Sequence, residues 1–187
     1  MDFYRGDNRG PDDVNILRHG FTAKPPAVPM NGAESRAFLS LMLAEYKGSA
    51  ELGFKWRGET PGGLVATAMI QGGGYQGMKY FYKCTIPNDE LTLQKLTSKG
   101  KLGDPLPVTE ALASRSYFLL YNNGSYQTAD LIAFCHGQVQ SKEATFLTTI
   151  PARYIVGYRS GQNTTNETVP FAPFRRPHSA AWRVVNE

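Results

Sequence analysis

Arg5, Asp7 and Arg9 fall at every second position of an aromatic opening, Phe3-Tyr-Arg-Gly-Asp-Asn-Arg9. A guanidinium offers a forked, charge-assisted set of donors that fits phosphate oxygens. Held on a strand, Arg5 is placed to grip an anionic ligand, Asp7 to fix the turn that follows, and Arg9 to organise the cleft or close an ion pair. Far downstream, Glu143 sits in Gln140-Ser-Lys-Glu143. A carboxylate beside a sugar ring can stabilise the positive charge that builds when a glycosidic bond breaks. Taken singly, each residue has an ordinary reading: Arg5 with Asp7 is a surface ion pair, and Glu143 a solvated strand charge. His19, His136 and His178 are too far apart to propose a metal site, and no acid spacing supports one. His136 lies in the turn approaching Glu143, where a surface or backbone-bonded histidine is the ordinary reading. No Ser or Cys nucleophile with an identifiable base stands out.

Two stretches, taken together, are more specific. The order Tyr4, Arg5, Asp7, Arg9, Pro11, Asp13 resembles the first strand and turn of the mono-ADP-ribosyltransferases of the cholera-toxin and pertussis-toxin group. The segment Gln140-Ser-Lys-Glu-Ala-Thr-Phe-Leu-Thr-Thr-Ile-Pro-Ala-Arg-Tyr-Ile155 is similar to that family's catalytic turn and strand, with Glu143 seven positions before Ile150-Pro151 and Tyr154-Ile-Val-Gly-Tyr-Arg159 after it. Between them the family has a Ser-Thr-Ser strand, and the corresponding stretch is Leu64-Val-Ala-Thr-Ala68. There only Thr67 matches, with Ala66 and Ala68 where serines are expected.

The resemblance implies an α+β, strand-rich ADP-ribosyltransferase fold in which two roughly perpendicular sheets enclose a cleft for NAD, the co-substrate. Arg5, with Asp7, Arg9 and Thr67, would hold the dinucleotide, and Glu143 would drive cleavage of the bond between nicotinamide and ribose. Thr67 would orient Glu143 through its hydroxyl. The position two before the catalytic acid is commonly Glu or Gln in the family and serves the acceptor; here it is Ser141, which is no general base at neutral pH. A hydroxyl, thiol or amide acceptor is therefore expected in place of arginine. The implied activity is that of a toxin or effector transferring ADP-ribose to a host protein. Its alternatives are an inactive relative that binds NAD or a partner, and a nucleic-acid ADP-ribosyltransferase.

What must position these residues is one domain, since 187 residues suffice for a sizeable core and no linker divides the chain. Aromatic residues at 12%, charged residues at only 19%, and 19 Gly with 12 Pro point to a turn-rich, β-dominated chain. The net charge of +4 is spread without a dense run, so nucleic acid is permitted but not indicated. Cys84 and Cys135 set no framework, and two buried thiols are the ordinary reading. No apolar run spans a bilayer and no signal peptide opens the chain, so the export signal of a secreted or host-delivered protein, and any delivery or binding subunit, would lie outside this sequence.

Along the chain, strands are expected at Asp2 to Gly6, Phe54 to Arg57, Leu64 to Ile70, Met78 to Ile86, Tyr117 to Tyr121, Ala144 to Leu147, Tyr154 to Arg159 and Trp182 to Val185. A short helix, with Pro11 early and two acids in its first turn, stops at Gly20; a longer one runs from Glu34 to Tyr46 before Gly48. Both are expected to cover the sheet that carries Arg5. Gly72 to Gly77 formally fits G-x-G-x-x-G, but an aromatic strand follows, so it is read as a hairpin connection rather than a phosphate loop. Asp89 to Arg115, with Gly100, Gly103, Pro105 and Pro107, reads as an irregular excursion containing about one helical turn.

Overall fold

A computed structural model describes residues 1–23, 28, 30–45, 64–72, 77–96, 101–113, 116–136, 142–163 and 168–175. The expected strands at Phe54 to Arg57 and Trp182 to Val185 lie outside these residues, as do Ser141, Tyr46, Gly48 and the centre of the Gly72 to Gly77 connection.

The described strands are β1 (Asp2–Asp7), β2 (Val65–Ala68), β3 (Tyr80–Thr85), β4 (Leu91–Leu96), β5 (Leu102–Leu106), β6 (Tyr117–Asn122), β7 (Ile132–His136), β8 (Glu143–Phe146), β9 (Ile155–Ser160) and β10 (Ala172–Pro173), with aromatic or β-branched runs in β1, β3, β6 and β9. They make one antiparallel sheet in the order β10-β9-β3-β1-β2-β8-β7-β6-β4-β5. With three helices, the described residues are a strand-rich α+β fold.

Helix α1 (Val14–His19) begins later than the sequence suggests. The acids precede its first turn, and Asp13 is the cap: its carboxylate accepts from the backbone N–H groups of Asn15 and Ile16. Gly20 ends it at φ +85°, a conformation side chains resist. Helix α2 (Gly32–Glu45) starts in a reciprocal capping box, with Asn31 N–H donating to the Glu34 carboxylate and Glu34 N–H to the Asn31 side chain. A third helix, α3 (Glu110–Ala113), is a single turn.

Over Asp89 to Arg115 the expected helical turn is α3, but the irregular stretch before it is instead an antiparallel pair, β4 with β5. Gly103 and Pro105 read as breakers, yet β5 is the edge strand, where a missing donor and a missing side chain are tolerated.

Two buried clusters lie on the two faces of the sheet. One gathers Phe3, Tyr82 and Cys84 with Ala144, Phe146 and Phe118, closed by Ile16 and Leu17 of α1 and Ala111 of α3. The other packs Phe38, Leu39 and Met42 of α2 against Tyr117, Leu119 and Phe134. Thus α1 covers the strands beside Arg5, as expected, but α2 covers β6 and β7 at the other end. Its apolar residues find their partners among the aromatic and leucine side chains there.

The joint between β1 and β2 is the narrowest in the sheet. It consists of one residue pair, Tyr4 with Ala68, whereas β1 pairs with β3 along its whole length from Asp2 to Asp7.

Candidate functional site

Arg5 lies one residue beyond that joint and is 5% exposed. Groups on a strand point alternately to either side, so Ala66, two residues from Ala68, also turns its carbonyl toward β1. No β1 residue pairs with it; Arg5 Nη1 donates to the Ala66 carbonyl at 2.8 Å instead. The guanidinium therefore fills the opening where the β1–β2 ladder stops. Its charge also lies over the Phe21 ring, 5.4 Å from the centroid.

The other edge of the Arg5 fork meets Asp7, with Nε and Nη2 donating to Asp7 Oδ2 at 3.3 and 3.2 Å. Arg9 approaches the same carboxylate: its backbone N–H and Nε reach Oδ1 at 3.0 Å each, and Nη2 reaches Oδ2 at 2.8 Å. Asp7 does fix the turn that follows it, and Arg9 does close an ion pair. Tyr82, opposite Arg5 on β3, donates its hydroxyl to the Arg9 carbonyl at 2.8 Å. Asp7 is 1% exposed. Burial alone would raise its pKa, but the hydrogen bonds from Arg9 and the charges of Arg5 and Arg9 outweigh that and hold it at about 2. The same bonds to Asp7 raise Arg9. Asp7 is thus shared by two guanidinium groups.

Glu143 opens β8 and is half-buried. It pairs with Ala68 on one side and His136 on the other, so Tyr4, Ala68, Glu143 and His136 form one row across four strands. Lys142, just before it, has φ +49°, unusual for a residue with a side chain, and its carbonyl accepts from Met69 N–H at 2.7 Å.

Thr67 does not take the orienting role expected of it. Thr67 pairs with Ala144, not with Glu143, and its buried hydroxyl donates to the Ala144 carbonyl at 2.7 Å. A threonine hydroxyl has one proton, so this bond leaves none to orient a carboxylate. The hydroxyl that does reach Glu143 belongs to Thr145, whose Oγ1 donates to Glu143 Oε1 at 2.8 Å. The resemblance points only to the strand opposite Glu143 and so leaves Thr145 unmarked. The period-two alternation of β8 itself would have pointed to it.

Arg5, Asp7 and Arg9 are thus gathered on the β1 side of β2, and Glu143 with Thr145 on its β8 side; Glu143 shares the face of Tyr4, so by the alternation of β1 the Arg5 side chain leaves the strand on the other face and reaches the level of the sheet at the Ala66 carbonyl. Ser141, at the position that serves the acceptor in the resemblance, lies outside the described residues. Among the described residues, no cluster of His, Cys, Asp and Glu could hold a metal, and no helix is long and apolar enough to cross a membrane. Cys84 and Cys135 are free, buried thiols on β3 and β7. No protein-family model matches the chain, and no curated protein matches it.

Proposed function

We propose that this chain is a mono-ADP-ribosyltransferase that binds NAD, cleaves the nicotinamide–ribose bond and passes ADP-ribose to a protein acceptor. One observation carries the reading: the β1–β2 ladder stops after Tyr4 and Ala68, the Arg5 guanidinium occupies the opening, and Glu143 stands beside that same Ala68. On this reading β10-β9-β3-β1 and β2-β8-β7-β6-β4-β5 are the two half-sheets of an ADP-ribosyltransferase fold, meeting at the joint with the cleft between them.

The residues fit the dinucleotide. Its diphosphate is anionic, and guanidinium groups are matched to phosphate oxygens; Arg5 and Arg9, both held by Asp7, are the ones beside the joint. With NAD bound, departure of neutral nicotinamide takes the electron pair of the glycosidic bond and leaves a cation on the ribose. Glu143 stabilises that cation, as the carboxylates of glycosidases do. The acceptor then attacks the same ribose carbon and loses a proton. With Ser141 two residues before Glu143, that acceptor is a hydroxyl, thiol or amide rather than arginine, in a host protein reached after export or delivery.

The test is incubation with labelled NAD, with and without a host-cell extract, for wild type and Glu143→Ala. Label on protein that disappears in the variant supports the proposal; label on DNA or RNA moves the acceptor to nucleic acid. Equal turnover in both proteins overturns it. A second reading, an NAD-binding relative without turnover, draws on the methyl groups of Ala66 and Ala68 where the family has hydroxyls. It predicts calorimetric binding of NAD without nicotinamide release.

A further inference from the structure

We infer that Thr145 is the positioning residue for Glu143, an assignment whose catalytic use rests on the NAD-cleaving reading above. Thr145 Oγ1 donates to Glu143 Oε1 at 2.8 Å. The two residues are separated by one position on β8, so the pleat brings both to the same face. Opposite them on β2 stand Ala66, paired with Thr145, and Ala68, paired with Glu143. Neither methyl can donate a hydrogen bond, and Thr67 between them has turned its proton to the Ala144 carbonyl. Among the described residues, the hydroxyl that reaches the acid therefore stands on the acid's own strand.

Thr145 suits the task because it is itself immobile. It is 6% exposed and is held in the ladder by Ala66 on β2 and Phe134 on β7. A β-branched side chain in a strand has few rotamers, so its hydroxyl direction is largely set before any ligand arrives. A bond to an ionised acceptor is short and strong, and it resists rotation of the carboxylate plane. On the other side of Glu143 the backbone is pinned through the Lys142 carbonyl to Met69 N–H. The acid is thus fixed at its main chain by Met69 and at its carboxylate by Thr145. Preorganisation of this kind reduces the rearrangement needed when charge develops on the substrate.

The test compares Thr145→Val, which keeps the shape and removes the donor, with Thr145→Ser, which keeps the donor. Nicotinamide release from NAD should fall about tenfold in kcat for Thr145→Val with KM little changed, and return toward wild type in Thr145→Ser. Equal turnover of Thr145→Val and wild type overturns the assignment, as does equal loss in both variants, which would make the methyl the essential part. Should Thr145→Val not fold, Thr145→Ala against Thr145→Ser decides in the same way.

A second readout needs no turnover. The carboxyl carbon of Glu143, followed by carbon NMR at neutral pH, should change chemical shift in Thr145→Val and keep the wild-type value in Thr145→Ser. An unchanged shift in Thr145→Val removes the hydrogen bond and the assignment with it. If the shift moves but wild type releases no nicotinamide, the NAD reading fails while the positioning bond stands.

Discussion

Arg5 Nη1 donates to the main-chain oxygen of Ala66 at 2.8 Å, at the point where β1 and β2 cease to pair. An arginine side chain does there what a backbone N–H of β1 would do in a continuous ladder. Arg5 is consequently both a stitch between the strands and the charge at the mouth of the proposed cleft.

Arg5→Lys separates charge from geometry. Lysine keeps the positive charge but lacks the fork that reaches Asp7 and Ala66 together. We expect NAD affinity to weaken about tenfold, or roughly 1.4 kcal/mol, in a calorimetric titration. Unchanged affinity in a folded variant would remove Arg5 from the binding role.

Asp7 links stability to acid. Its pKa is depressed from 3.8 to about 2, so the ionised carboxylate favours the folded state. That contribution is complete above pH 3.8 and disappears as pH falls through about 2. The size is about 2 kcal/mol, at 1.36 kcal/mol per unit. Asp7→Asn should therefore be less stable at neutral pH, by about 3 kcal/mol or more because two guanidinium groups lose their partner. Its stability should also vary less than that of wild type between pH 4 and pH 2 in urea titrations. Parallel pH profiles would count against this account.

Thr67→Val tests the correction made above. Removing the bond to the Ala144 carbonyl should cost about 1 kcal/mol of stability and leave nicotinamide release unchanged. A large fall in kcat at intact stability would return Thr67 to the site.

Gly20→Ala should be damaging although it lies far along the chain from Glu143. The residue has φ +85°, and an added Cβ would stand 2.0 Å from the Ile150 carbonyl oxygen. Strain of about 1–3 kcal/mol is expected from the backbone alone, with the overlap adding to it, visible as a lowered Tm. The bridge between Phe21 and Ile150 that follows Gly20 would be disturbed. A variant as stable as wild type would mean that Ile150 moves aside freely.

Burial raises the thiols of Cys84 and Cys135, each to about 12. Both should resist a disulfide reagent at pH 8 in the native state and react at once in denaturant. Rapid native labelling of either would contradict its burial.

Much of the scaffold can be read from residue types because its causes are local. Aromatic runs become strands at Tyr80 to Thr85 and Tyr117 to Asn122, and Asp13 and Gly20 bracket a short helix through their own backbone preferences. Asn31 and Glu34 form a capping box, a local signal that the expected start at Glu34 leaves out. The region after Asp89 misleads because Gly103 and Pro105 are judged as breakers, a judgement that depends on whether the strand is central or at an edge. Ile132 to His136 is hard to recognise for a related reason: a central strand buried on both faces loses the alternation that marks an exposed one.

The chemistry divides in the same way. The sequence by itself determined that Arg5, Asp7 and Arg9 share one short stretch, that a turn joins Asp7 to Arg9, and that a strand follows Glu143, because neighbours along the chain control each of these. Only the tertiary structure decided that β2 lies between Arg5 and Glu143, that Arg5 takes the Ala66 carbonyl, and that Thr145 rather than Thr67 reaches the acid. Those outcomes depend on strand register, and a shift of one residue turns every side chain to the other face.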